Sequence, residues 1–151
     1  MQGDNYPKIY LYRRIVKAKF FIDDNFAGNI DLDHIADEAF FSKFHFIRLF
    51  KKTYAKTPHQ YLTFVRIEKS KLLLKEDTPV AEVCYAVGFD SISSFTGLFK
   101  RLTGQTPAAY QQVQQKIKEE IKTLPLKHIP NCFAEMKGWT QKSNFEEVKK
   151  F

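Results

Sequence analysis

SKFHFIRLFKKTYAKTPHQY, residues 42–61, and SISSFTGLFKRLTGQTPAAY, residues 91–110, are two copies of one pattern. A shift of 49 positions lays Ser42 on Ser91, Phe46 on Phe95, Leu49 on Leu98 and Phe50 on Phe99. It also lays Lys51 on Lys100, Lys52 on Arg101, Thr57-Pro58 on Thr106-Pro107 and Tyr61 on Tyr110. Upstream the offset falls to 48, pairing Ile35 with Val83, Ala36 with Cys84 and Phe41 with Phe89, so the second copy carries one extra residue in its turn. A repeat of supersecondary length marks a duplicated structural unit. Two copies are too few for a solenoid, which leaves a duplicated functional unit.

Working outward, each copy reads as a short helix, a tight turn and a second helix. The spacing predicts a first helix over 7–26, with Ile9, Tyr12, Val16, Phe20 and Ile22 or Phe26 as its apolar stripe, stopped by Gly28 and Asn29. Asp31 can cap a helix over 32–39 that turns Leu32, Ile35 and Ala36 inward, and Ser42 can cap the next, over 43–54. Thr57-Pro58 opens a long helix to about residue 75, because Thr caps well and Pro is tolerated at the first helical position. Thr78-Pro79 repeats that signal for 80–87, which Gly88 ends; Asp90 or Ser91 caps 92–102, which Gly104 ends; Thr106-Pro107 starts one more. Little in the chain reads as strand. The expected fold is all-α, with two helix-turn-helix subdomains over about 31–54 and 79–103, joined by a linker helix over about 58–75. The division falls into a binding domain over 1–110 and a C-terminal helix and tail over 111–151.

Composition narrows the classes. The chain of 151 residues is 44% hydrophobic and has 15 Phe, enough for a real core, while Gly and Pro number only 6 each. No apolar run approaches the roughly 18 residues of a membrane span, and the polar start lacks the apolar stretch of a signal peptide, so a cytoplasmic location is expected. Cys84 and Cys132 fit a reducing compartment, and Cys84, in an apolar helical pattern, reads as a buried small side chain. No Cys/His cluster suggests a metal, and no cofactor motif is present. His34, His45, His59 and His128 are dispersed, and no nucleophile is paired with a base, so no catalytic residue is assigned.

Charge points to a polyanion. The net charge is +7, and residues 39–67 contain no acid but hold Lys43, Arg48, Lys51, Lys52, Lys56 and Arg66. In the first copy Phe46, Leu49 and Phe50 mark the buried side of the second helix. Lys43, Phe44, Ile47 and Arg48 fall on the outer side, mixing cations with large apolar groups. Apolar groups can touch thymine methyls and Arg can pair with guanine, so this face suits base edges in a major groove; packing of Phe44 and Ile47 on a neighbouring helix is the alternative. In the second copy Phe95, Leu98 and Phe99 are the buried set, and the outward set is Ile92, Ser93, Thr96 and Gly97, small and weakly polar, which implies more permissive readout. Ser42, Lys51, Lys52, Lys100 and Arg101 suit phosphates, which position a protein without reading sequence. The implied partner is double-stranded DNA.

The stretches LDHIADEAFFSKFHFIRLFKKTYAKTPHQYL, FVRIEKSKLLL and VAEVCYAVGFDSISSFTGLFKRLTGQTPAAY, spanning about residues 32–110, resemble the DNA-binding domain of the AraC/XylS transcription regulators. The resemblance implies a seven-helix domain with two recognition helices in adjacent major-groove segments, and a regulator that often contacts RNA polymerase. It assigns base contacts to Lys43, Phe44, Ile47 and Arg48 in the first unit, and to Ile92, Ser93, Thr96 and Gly97 in the second. Three positions depart from the pattern: Phe40 stands where Gly is common, Ser70 where Ala is usual, and Gly97 where short MarA-like members can have Arg. The Met1 start and a distinctive tail favour a short, sensor-less member over a fragment, with a monomer the favoured state. Beyond Tyr110, the residues Val113, Ile117, Ile121 and Leu124 continue an apolar stripe, and Trp139 follows. They either dock on the domain's own surface or form a partner or self-association site. The competing function is a helix-turn-helix interaction module whose tail binds a partner.

Overall fold

A computed structural model describes residues 5–33, 36, 42–124, 127 and 129–137. The elements are α1 (Asn5–Asn25), α2 (Lys43–Tyr54), α3 (Pro58–Lys75), α4 (Val80–Ala86), α5 (Ile92–Thr103), α6 (Pro107–Thr123) and α7 (Asn131–Met136). Every regular element among the described residues is helical, as the sequence predicts. Leu32, Asp33 and Ala36 are helical, and Ala36 is buried. The other residues of the expected 34–39 segment, with Phe40, Phe41 and Trp139, lie outside the described residues.

The caps explain the boundaries. The Ser42 hydroxyl accepts the His45 N–H and the Ser91 hydroxyl accepts that of Ser94, each covering an amide that the first turn leaves unsatisfied. Thr57 and Thr106 do the same for α3 and α6, and Gln60 returns a bond to Thr57 to complete a capping box. Pro58 and Pro107 follow them and are buried. The third Thr-Pro pair behaves differently. Pro79, not Thr78, is the N-cap of α4 and offers no side-chain bond; the Thr78 backbone is engaged elsewhere, its carbonyl accepting from Gln111 and its N–H reaching Leu73.

The repeat is visible in three dimensions. Phe46 and Phe50 have ring centroids 5.8 Å apart, and Phe95 and Phe99 5.7 Å. Tyr61 meets Phe50 edge-on at 5.7 Å, and Tyr110 meets Phe99 edge-on at 5.6 Å. Each set anchors its own core. The first core gathers Ile15, Ala18, Ile22, Ala36, Phe46, Phe50 and Leu62. The second gathers Ile67, Leu74, Val83, Cys84, Val87, Phe89, Phe95 and Phe99. The linker helix α3 therefore enters the first core with Leu62 and the second with Ile67 and Leu74. Phe26 packs against both cores. Ser70, the departure from Ala, is fully buried on α3 and donates its hydroxyl to the Ile67 carbonyl at 2.7 Å, so its polar atom is satisfied within its own helix. Cys84 is a free, buried thiol whose pKa burial pushes up.

Of the expected stripe of α1, Ile9, Tyr12, Val16 and Phe20 face solvent, while its last members, Ile22 and Phe26, face the core. Ile15, Ala18 and Ile22 are buried, with Leu11 and Phe26 beside them, whereas Ile9, Val16 and Phe20 are 57%, 39% and 56% exposed. Helix α1 carries apolar residues around most of its circumference, so periodicity alone does not choose the side. The buried side also carries a polar tie: the Tyr61 hydroxyl donates to Asp23 at 2.7 Å, with Lys19 paired to the same carboxylate at 2.7 Å. Burial, then the bond to Asp23, raises the Tyr61 pKa.

The two recognition-helix ends differ in one atom. Ala55 and Gly104 occupy matching positions after α2 and α5, and both are left-handed, at φ 59° and φ 85°. The Cβ of Ala is disfavoured there by roughly 1–2 kcal/mol, while Gly is not. Ala55→Gly should therefore raise stability by about 0.5–1 kcal/mol, the gain being reduced by the greater freedom of Gly in the unfolded chain. A higher urea midpoint at unchanged slope is the expected result, and an unchanged or lower midpoint contradicts it.

Helix α6 runs past Tyr110 and docks on α3. Gln111 donates to the Thr78 carbonyl at 2.8 Å, and Gln115 and Lys118 hold the Asp77 carboxylate at 3.2 and 3.3 Å. These bonds, Gln115 first, lower the Asp77 pKa. The stripe is only partly used: Tyr110 packs on the second core, while Val113 and Ile121 stay 43% and 49% exposed. No helix of the described residues is long and apolar enough to cross a membrane.

Candidate nucleic-acid interface

The exposed face of α2 follows from its buried one. With Phe46 and Phe50 fixed in the core, Lys43, Phe44, Arg48, Lys51 and Lys52 are turned to solvent. Phe44 is 76% exposed, a large apolar group left facing water. Ile47 is half-buried and packs against the first core, so the alternative of intramolecular packing holds for Ile47 and not for Phe44. Lys43 is less available than its position suggests. Its ammonium pairs with Asp33 at 2.8 Å, and that hydrogen bond raises its pKa. Both partners are more than half exposed, so water screens the pair and a phosphate or base could displace Asp33 at small cost. Arg48 is exposed and pairs with no acid among the described residues; His45, Leu49 and Lys52 stand beside it around a shallow depression. Lys51 and Lys52 form the last turn of α2.

In the second unit, Phe95 and Phe99 are buried, and Ile92, Ser93 and Gly97 are exposed, with Thr96 half-buried. Ser91 caps the helix and bonds Ser94 at 2.9 Å. A Cβ added at Gly97 would meet nothing within 4 Å. The fold thus gives no reason for glycine in the middle of this helix, where it costs about 1 kcal/mol relative to Ala. Lys100 and Arg101 occupy the last turn, matching Lys51 and Lys52.

Arg66 was counted with the cations of the 39–67 run, and its donors point the other way. Its Nε donates to the Phe26 carbonyl at 2.7 Å and its Nη2 to the Gly28 carbonyl at 2.9 Å. Burial lowers its pKa and nearby Asp90 opposes that, but a guanidinium stays charged at any physiological pH. Nothing in the local sequence signals this inward role, because the acceptors are backbone carbonyls 40 and 38 residues away.

Among the described residues every regular element is helical, and two capped helices with matching buried Phe pairs, α2 and α5, are joined by one linker helix, the arrangement of a double helix-turn-helix. Residues 35–113 match the family described as "Helix-turn-helix domain". The chain belongs to this AraC-type family. It is 35% identical over 92 residues to a "Probable transcriptional regulator LumQ" of Photobacterium leiognathi, covering 60% of this chain and 37% of that protein. It is 33% identical over 96 residues to the "Bifunctional transcriptional activator/DNA repair enzyme AdaA" of Bacillus subtilis, covering 63% of this chain and 46% of the relative. The chain thus spans less than half the length of these relatives. Among solved structures it resembles the DNA-binding domain of AdpA, "the global transcriptional factor, in complex with a target DNA", at TM-score 0.66 and 26% identity, over 70% of this chain and 96% of that one.

Proposed function

We propose that the chain regulates transcription by setting α2 and α5 into adjacent major-groove segments of one DNA face. The binding unit ends near Tyr110, and residues 111–151 are an appendage. The observation that carries this reading is the pairing of the two helices: same cap, same buried Phe pair, same terminal cations, and outward faces that the cores leave unused. The 18 residues of α3 span about 27 Å at 1.5 Å per residue, of the order of the ~34 Å between successive major-groove segments. Lys43, Phe44, Ile47 and Arg48 read bases in the first box. Ile92, Ser93, Thr96 and Gly97 read the second more tolerantly. Ser42, Lys51, Lys52, Lys100 and Arg101 meet phosphates. RNA polymerase as a second partner, a monomeric state and a cytoplasmic location complete the proposal.

Selection of bound sequences from a random pool tests it. The expected logo has two boxes about one helical turn apart, the first sharply defined and the second tolerant. Equal information in both, or more in the second, would reverse the roles of the units. Gly97→Arg should sharpen the second box, since position 97 is exposed and a Cβ there meets nothing within 4 Å. Lys100→Ala should weaken all sequences alike and reduce the salt slope by about 1, as removal of one phosphate contact does.

A further inference from the structure

Three segments meet where the two cores join. The end of α1 supplies the Phe26 and Gly28 carbonyls to the Arg66 fork. The turn of the second unit supplies Phe89, whose ring centroid lies 5.7 Å from the Arg66 guanidinium carbon. Gly88, at φ +92°, presses against both: a Cβ there would sit 2.8 Å from the Ala27 carbonyl oxygen and 3.0 Å from Arg66 Nη2. Phe26 spans the same joint, packing on both cores. A cation is well placed here, since these carbonyls lie just past the C-terminal end of α1, the negative pole of that helix. The planar fork aims two separate nitrogens in fixed directions, Nε at one carbonyl and Nη2 at the other, a geometry that the single ammonium of a lysine does not reproduce.

We infer that Arg66 is a positioning residue, locking the turn of the second unit onto the end of α1 and thereby fixing the separation and angle of α2 and α5 on DNA. Arg66 itself stands on α3, and from there it reaches both the carbonyls after α1 and the Phe89 ring. The joint ties the linker helix to a segment of each unit, so rotation of one unit against the other is opposed. This rests on the proposal that both helices contact one DNA duplex. It goes further in making spacer length a property of a residue that touches no DNA.

The experiment uses duplexes carrying both selected boxes, with the spacer shortened or lengthened by one base pair. Each step moves the second box by about 3.4 Å and turns it by about 34°. The unsubstituted protein should lose about tenfold or more in affinity at either altered spacer. Arg66→Ala and Arg66→Lys should flatten that profile to about threefold, with binding to an isolated first box unchanged. Val83→Ala, which trims the second core away from the joint, should lower Tm and keep the steep profile. If Arg66→Ala does not fold, Arg66→Lys, which keeps the charge and one bond, gives the reading. A folded Arg66 variant with the original steep profile overturns the inference. An unsubstituted protein indifferent to spacing overturns the two-helix reading itself, and shows this before any substitution is made.

Discussion

Phe99→Ala should lower the stability of the chain by about 3–5 kcal/mol, and Phe50→Ala by the same. Both rings are fully buried. Each stands between a phenylalanine one turn earlier and a tyrosine on the following helix, so truncation opens a void lined by aromatic edges that helical backbone cannot collapse to fill. Against the 5–15 kcal/mol typical of a domain, such a loss leaves little margin at physiological temperature. Binding should fall in both variants, in step with the folded fraction measured by urea unfolding. Loss of DNA binding at unchanged Tm would mean that these rings face the nucleic acid and the helices are read inside out.

Arg48→Ala should weaken specific binding by about 1–3 kcal/mol, relax preference at one base pair and leave Tm unchanged. Arg48 is exposed in the middle of α2 between Phe44 and Lys52, and a guanidinium there can pair both acceptors of a guanine. Lys43, one turn earlier, should matter less, because it must first leave Asp33. The same selection with the variant gives the answer: a logo identical at every position would remove Arg48 from base contact and leave it a phosphate ligand.

The features legible in the sequence are those encoded locally or twice. Caps at Ser42, Ser91, Thr57 and Thr106 are set by the residue and its next three amides. The buried faces of α2 and α5 were read because each copy corroborates the other. The failures share the opposite property. The pattern of α1 admits either side as its inner face, and the Tyr61 that ties Asp23 there is 38 residues away. Arg66 counts in the cationic run because charge in a sequence has no direction, and the Lys43–Asp33 pair is not legible because Asp33 lies on another element. Thr78-Pro79 looks like its two siblings and α4 starts at Val80 as expected, but Thr78 does not cap it: Pro79 is the N-cap and α6 claims the Thr78 carbonyl. For the interface, sequence supplied the candidate side chains and the structure supplied their exposure.

The separation of the two cores also bears on how the chain is made. Among the described residues, the buried members of the first core end at Leu62 and precede Ile67, the first buried residue of the second. A ribosome delivers residues at roughly 5–20 per second, and helical units with mostly local contacts close far faster than that. The N-terminal unit can therefore settle while the second is still being synthesised. The growing α3 then presents a finished surface, with the Phe26 and Gly28 carbonyls already in position, on which the later unit assembles.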